Sequence, residues 1–155
     1  MIRQSFLSFV ISAVCVVMYL AGGRYGVGDG SGLLEALTYH FCHANIFHLA
    51  LNLYALLRFC PRPLTCLVGF VSATVAALIP WCHMALPTCG LSGMIMACYA
   101  RKYQSWRLDM TKLVVINVIL AFFPFFNWKI HIVSFILAYC FYEVRAKVRG
   151  IATGV

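Results

Sequence analysis

Apolar residues in this chain come in continuous runs rather than in alternation, and such runs predict helices. The first run is Phe6 to Leu20, preceded by Arg3. No A-x-A cleavage site follows it, which favours a retained first helix over a signal peptide. Residues 21–35 are Gly-rich and polar and predict a loop containing Asp29 and Glu35. Residues 37–46 mix aromatic and polar side chains, as at a membrane interface. A second helix is predicted from Asn45 to Leu57, then a tight turn from Arg58 to Pro63. The third helix runs from Leu64 to Ile79, and a polar return runs from Pro80 to Thr88. A fourth helix starts near Leu91 and is apolar only to Tyr99 or Ala100, where Arg101 and Lys102 close it. After a basic loop, Leu113 to Phe123 predicts a fifth helix and Ile130 to Val144 a sixth.

Composition turns this pattern into an expectation about solvent. Of 155 residues, 63% are hydrophobic and only 10% charged, and the mean hydropathy is +0.90. A single domain of this length cannot hide so much apolar surface from water. Lipid as the solvent admits only helices or closed barrels, and the runs favour helices. The expected fold is therefore all-α, a polytopic six-transmembrane-helix bundle spanning residues 1–155 with no additional soluble domain. The fourth segment is too short to cross about 30 Å of hydrocarbon at about 1.5 Å per residue. Its start, with Ser92, should then lie below the outer surface.

The net charge of +8 is read as orientation rather than as nucleic-acid binding. In the six-helix arrangement ten cations fall on one side: Arg3, Arg58, Arg62, Arg101, Lys102, Arg107, Lys112, Arg145, Lys147 and Arg149. Arg24 and Lys129 fall on the other. Ten against two predicts cytoplasmic termini. The expected location is a multi-pass place in a cell membrane, the bacterial inner membrane. Eight cysteines show no CxxC pair or metal-ligand spacing, so no metal or other cofactor is implied. Cys82 and Cys89 share a loop and are one candidate disulfide.

Polar groups inside apolar segments demand a reason. Ser92 stands in Gly90-Leu91-Ser92-Gly93 at the head of the fourth helix. A lone serine there is ordinarily a cap or a packing residue. His131 enters the sixth helix at comparable depth. Gly93 and Ala97 on one helix, and Ser134 and Ala138 on the other, are small residues spaced for close approach. Close approach would give Ser92 a base within about 3 Å. His48 and Asn52 are four apart and point to one side of the second helix. An imidazole and an amide aimed together are oxyanion donors, or else an interhelical hydrogen bond. His43 is five positions from His48, a poor spacing for a shared metal, and suits loop ordering better than catalysis. The four acids, Asp29, Glu35, Asp109 and Glu143, avoid the middles of the apolar segments. Neither an aspartyl pair nor a Ser-His-Asp triad is available, and a Ser-His dyad remains.

The stretch from His43 to Asn52, the Gly90 to Gly93 motif and His131 come in this order on successive helices. Together they resemble a rhomboid intramembrane serine protease over nearly the whole chain. The resemblance implies Ser92 as nucleophile and His131 as general base. It implies His48, Asn52 and the Ser92 N–H as oxyanion donors, with His43, Gly90 and Gly93 in support. It also implies hydrolysis of a peptide bond in or near the transmembrane segment of a membrane-protein substrate, with the lipid bilayer as surroundings. Three positions depart from the family pattern. Ser134 and Ala138 replace glycines after the histidine, and Met96 replaces a tyrosine that packs on its ring. Arg24-Tyr25 is at best a remnant of the family's Trp-Arg pair. Two other readings share these residues. One is a non-catalytic rhomboid-like membrane protein that binds transmembrane helices. The other is a proton or solute pathway lined by His48, Asn52 and His131.

Overall fold

A computed structural model describes residues 6–23, 26–60, 62–106, 115 and 126–153 of the chain. Every regular element longer than an isolated bridge in that set is helical. Six α-helices are described: α1 (Phe6–Leu20), α2 (Leu33–Thr38), α3 (Ile46–Phe59), α4 (Pro63–Ala77), α5 (Ser92–Trp106) and α6 (Trp128–Thr153). Short 3-10 turns occupy Tyr39–Phe41 and Pro80–Cys82.

Local chemistry sets the helix starts. Asn45 caps α3, its side-chain oxygen accepting from the His48 N–H at 2.9 Å, which satisfies one orphan donor of the first turn. Pro63 opens α4 at the position where a missing N–H costs nothing. Glu35 closes back on the Gly32 N–H at 2.9 Å and fixes the start of α2.

The central helix is α5, which packs most extensively on α6 and then on α4 and α3. Leu49, Leu56, Ala73, Leu91 and Met94 form one buried cluster around it. Val68, Ala97, Ala100, Phe135 and Ala138 form another between α4, α5 and α6. The expected proximity of Ala97 and Ala138 is therefore present. A third cluster, with Val27, Tyr39, Ala76, Cys82 and Ile130, lies beneath the loops. Val27 and Thr88 pair in an antiparallel bridge, with N–H to carbonyl distances of 2.7 and 2.8 Å, and hold the two long loops together.

The expected six-transmembrane-helix bundle is corrected by the helix lengths. Among the described residues no helix is long and apolar enough to cross a membrane. Helices α1, α4 and α5 hold 15 residues each and α3 holds 14. At about 1.5 Å per residue these reach roughly 22 Å, short of roughly 30 Å of hydrocarbon. Helix α6 has 26 residues, but Glu143, Arg145, Lys147 and Arg149 interrupt its apolar character. The structure thus does not support the multi-pass integral membrane location, the bacterial inner membrane assignment or the intramembrane character expected from composition. Part of the apolar excess lies on outward faces instead, with Phe6, Leu20, Phe47, Leu51 and Tyr54 exposed. The predicted fifth helix, Leu113 to Phe123, lies outside the described residues except Val115. Arg3, Arg24, Tyr25, Arg107, Asp109 and Lys112 lie outside them as well.

The candidate Cys82–Cys89 disulfide is also corrected, since both thiols are free. The bonded pair is Cys60–Cys98, with Cα atoms 5.8 Å apart, and it ties the end of α3 to the middle of α5.

Candidate active site

Ser92 is the first residue of α5 and is half-buried. Its helix makes its first backbone bond from Ile95 N–H to the Leu91 carbonyl at 2.9 Å. The N–H groups of Ser92 and Gly93 therefore precede the intrahelical ladder, at the positive end of the helix. His131 lies in the first turn of α6, with 2% of its surface exposed. Its Nε2 stands 2.7 Å from Ser92 Oγ. In the tautomer with the proton on Nδ1, the hydroxyl donates to Nε2. Burial, and secondarily the nearby His48, holds the His131 ring below its ordinary pKa of 6.5. The ring is thus neutral at pH 7 and has a lone pair for the hydroxyl proton.

Gly93 makes this approach of α5 to α6 possible. A Cβ there would sit 2.8 Å from Ile130 Cγ2 and 3.3 Å from the Tyr39 hydroxyl. Gly90 has φ +106°, in the left-handed region, and its N–H donates to the Tyr39 carbonyl at 2.9 Å. A Cβ on Gly90 would lie 2.8 Å from His48 Nε2 and 3.1 Å from Asn52 Nδ2. The His48 and Asn52 side chains therefore close directly on the backbone two residues before Ser92. Asn52 is buried, and its Nδ2 has no hydrogen-bond partner among the described residues. A buried donor left unpaired costs about 1–3 kcal/mol, so it is expected where a ligand supplies the acceptor. His43 packs edge-on against His48 with ring centroids 5.2 Å apart. It is buried, and neither of its ring nitrogens has a hydrogen-bond partner among the described residues, so it buttresses His48 from behind.

The ring that packs on His131 is Phe126, edge-on, with centroids 4.2 Å apart. Neither Phe126 nor Asn127 is among the site residues that the sequence suggests. Asn127 is buried, its Oδ1 accepts from the Ile130 N–H at 3.1 Å, and its Nδ2 donates to the Cys82 carbonyl at 2.9 Å and to Thr88 Oγ1 at 2.7 Å. One amide thus caps the helix carrying His131 and pins the loop leading to Ser92. An Asn just before an apolar run is a helix-start signal. Nothing in the sequence marks Phe126 or Tyr39. Ser134 turns its hydroxyl onto the Ile130 carbonyl of its own helix, so this buried hydroxyl is paired.

The structure gathers Ser92, His131, His48, Asn52, His43, Gly90 and Gly93 in one region, built from α3 and the turn before it, α5 and the loop before it, and α6. Neither a protein-family model nor a curated protein matches the chain. No group of three or more His, Cys, Asp or Glu side chains suited to a metal occurs among the described residues.

Proposed function

We propose that this chain is a serine endopeptidase with a Ser92-His131 dyad. The observation that carries the reading is the 2.7 Å approach of His131 Nε2 to Ser92 Oγ. In the first step Ser92 Oγ bonds to the scissile carbonyl carbon while Nε2 takes the hydroxyl proton. The oxyanion accepts from Asn52 Nδ2, a His48 ring N–H and the Ser92 N–H. Collapse breaks the C–N bond, and the imidazolium returns its proton to the leaving amine. Water then attacks the acyl carbon and gives a proton to His131; collapse breaks the bond to Ser92 Oγ, which takes that proton back from the imidazolium as the acid leaves. The substrate class that the rhomboid resemblance implies is a peptide bond in or near the transmembrane segment of a membrane protein.

The test is labelling by a serine-directed fluorophosphonate, paired with cleavage of a model helical substrate in detergent solution. Wild-type protein labels and cuts. Ser92→Ala abolishes both, and His131→Ala slows both on the order of 10³-fold or more. Wild-type protein that stays unlabelled, leaves the substrate intact and yet retains it in pull-down is a helix-binding protein, and the hydrolase reading fails.

A further inference from the structure

Tyr39 bears on the chain at both ends of the motif that carries Ser92. It opens the 3-10 turn Tyr39–Phe41 and is buried. Its carbonyl accepts the Gly90 N–H at 2.9 Å and the Cys42 N–H at 3.2 Å. A carbonyl oxygen has two lone pairs, so both bonds form together. The loop before the nucleophile is thereby anchored to the turn that leads into His43 and α3. The side chain of the same residue reaches the other end of the motif. Its hydroxyl lies 3.3 Å from the position of a Cβ on Gly93 and donates to the Ala73 carbonyl of α4 at 3.2 Å.

The hydroxyl is itself held in place. Burial first and Cys82 second raise the Tyr39 phenol, so its proton stays on oxygen and the group donates. The ring packs on His40 with centroids 4.0 Å apart, and His40 Nε2 lies 3.0 Å from Thr74 Oγ1. Tyr39 and His40 thus grip successive residues of α4, Ala73 and Thr74. Against this fixed group stands the first turn of α5. The Cβ position on Gly93 meets Ile130 Cγ2 of α6 at 2.8 Å and Ala73 Cβ at 3.4 Å, besides the Tyr39 hydroxyl. Gly93 is therefore packed against α6, α4 and Tyr39 at once. Ser92 lies between Gly90 and Gly93, so both contacts of Tyr39 bear on where its Oγ stands.

We propose that Tyr39 is a positioning residue, whose carbonyl and hydroxyl hold the start of α5 so that Ser92 Oγ stays 2.7 Å from His131 Nε2. It takes no part in bond making and acts through Ser92, and this role rests on the Ser92–His131 reading. Small displacements are enough to matter, since a misplacement of about 1 Å costs up to about 10²-fold in rate. Tyr39→Phe keeps the ring and the carbonyl and removes only the hydroxyl. The first turn of α5 then loses one of its supports without losing the anchor on Gly90.

Two measurements on the purified full chain test this role. In the first, Tyr39→Phe lowers kcat on the helical substrate about tenfold with KM unchanged, and slows fluorophosphonate labelling by the same factor. In the His131→Ala background the same substitution changes residual labelling by less than about twofold, because no Ser–His geometry is left to hold. Ser8→Ala is the matched control. It removes a buried hydroxyl that donates to the Cys60 carbonyl at 2.7 Å, lowers the thermal midpoint as Tyr39→Phe does, and leaves kcat and labelling unchanged. The second measurement is independent of Ser92 chemistry: amide hydrogen exchange over residues 90–95 is faster in Tyr39→Phe than in wild type, with α1 unchanged. Unchanged exchange, equal rate losses with and without His131, or equal rate losses in Tyr39→Phe and Ser8→Ala overturns the proposal. Active wild-type protein with an indifferent Tyr39→Phe variant sinks the positioning role alone, whereas wild-type protein that neither labels nor cuts sinks the dyad reading as well.

Discussion

Gly90 carries two constraints at once, one on its backbone and one on its missing side chain. Its φ of +106° disfavours any L side chain, and a Cβ would press into His48 and Asn52. Gly30 separates the two effects, since its φ is +81° but nothing lies within 4 Å of a Cβ. Gly30→Ala should cost about 1 kcal/mol of backbone strain and leave fluorophosphonate labelling intact. Gly90→Ala should cost about 1–3 kcal/mol and slow labelling tenfold or more, because His48 and Asn52, the proposed oxyanion donors, must move. Equal labelling rates for the two variants, measured alongside their thermal midpoints, would remove His48 and Asn52 from the site.

Among the elements, the apolar runs were legible where they coincide with buried faces. Helix α1 matches its expected span, α3 starts one residue after the expected Asn45, and α5 starts at Ser92. Two ends were misread because charge was taken as a stop. Helix α5 continues past Arg101 to Trp106, and α6 runs nine residues past Val144. Lysine and arginine are good helix formers, so a change of solvent face does not end a helix. Helix α2 was not foreseen, because six residues show too little periodicity to register. The membrane inference failed for a related reason: composition counts apolar residues without asking how many fall in one uninterrupted helix. At the site, Ser92, His131, His48 and Asn52 were legible from motif order. Asn127 was not, because its importance lies in contacts 39 and 45 positions away in the chain. Asn127→Ala removes a cap and orphans the Cys82 carbonyl, a loss of about 2–3 kcal/mol. At roughly 2–4 °C per kcal/mol for a chain of this size, the thermal midpoint drops by about 5–10 °C. Asn127→Asp keeps the cap oxygen, loses the two donated bonds and falls between. Labelling falls in parallel, since the same amide orients the helix of His131 and the loop before Ser92.

The molecule as a whole carries only four acidic residues, so carboxylate protonation contributes little to its acid sensitivity. Its buried histidines set that response instead. Burial lowers His40 from 6.5 to about 3. His43 falls to about 4, through burial first and the neighbouring His48 second, with the Phe41 backbone opposing. Both folded pKa values lie below the unfolded value, so between about pH 6.5 and 4 the unfolded chain binds more protons. Stability from these groups is complete above pH 6.5 and is lost as pH falls through that window. At about 1.4 kcal/mol per pKa unit, the two together amount to several kcal/mol, a large share of a typical 5–15 kcal/mol. The thermal midpoint should therefore be flat from pH 8 to 7 and decline steadily below 6.5. The Phe41 backbone lies near the His43 ring, but neither ring nitrogen reaches hydrogen-bond geometry with a described residue. His43→Phe should then keep pH 7 stability within about 1 kcal/mol, since no well-formed hydrogen bond is lost, and make the acid decline shallower. His40→Phe also removes a titrating ring, but it breaks the 3.0 Å contact of Nε2 with Thr74 Oγ1. Its midpoint should start lower at pH 7 and decline less. A wild-type decline that begins only below pH 4.5, with the same slope in both variants, would assign acid unfolding to the carboxylates after all.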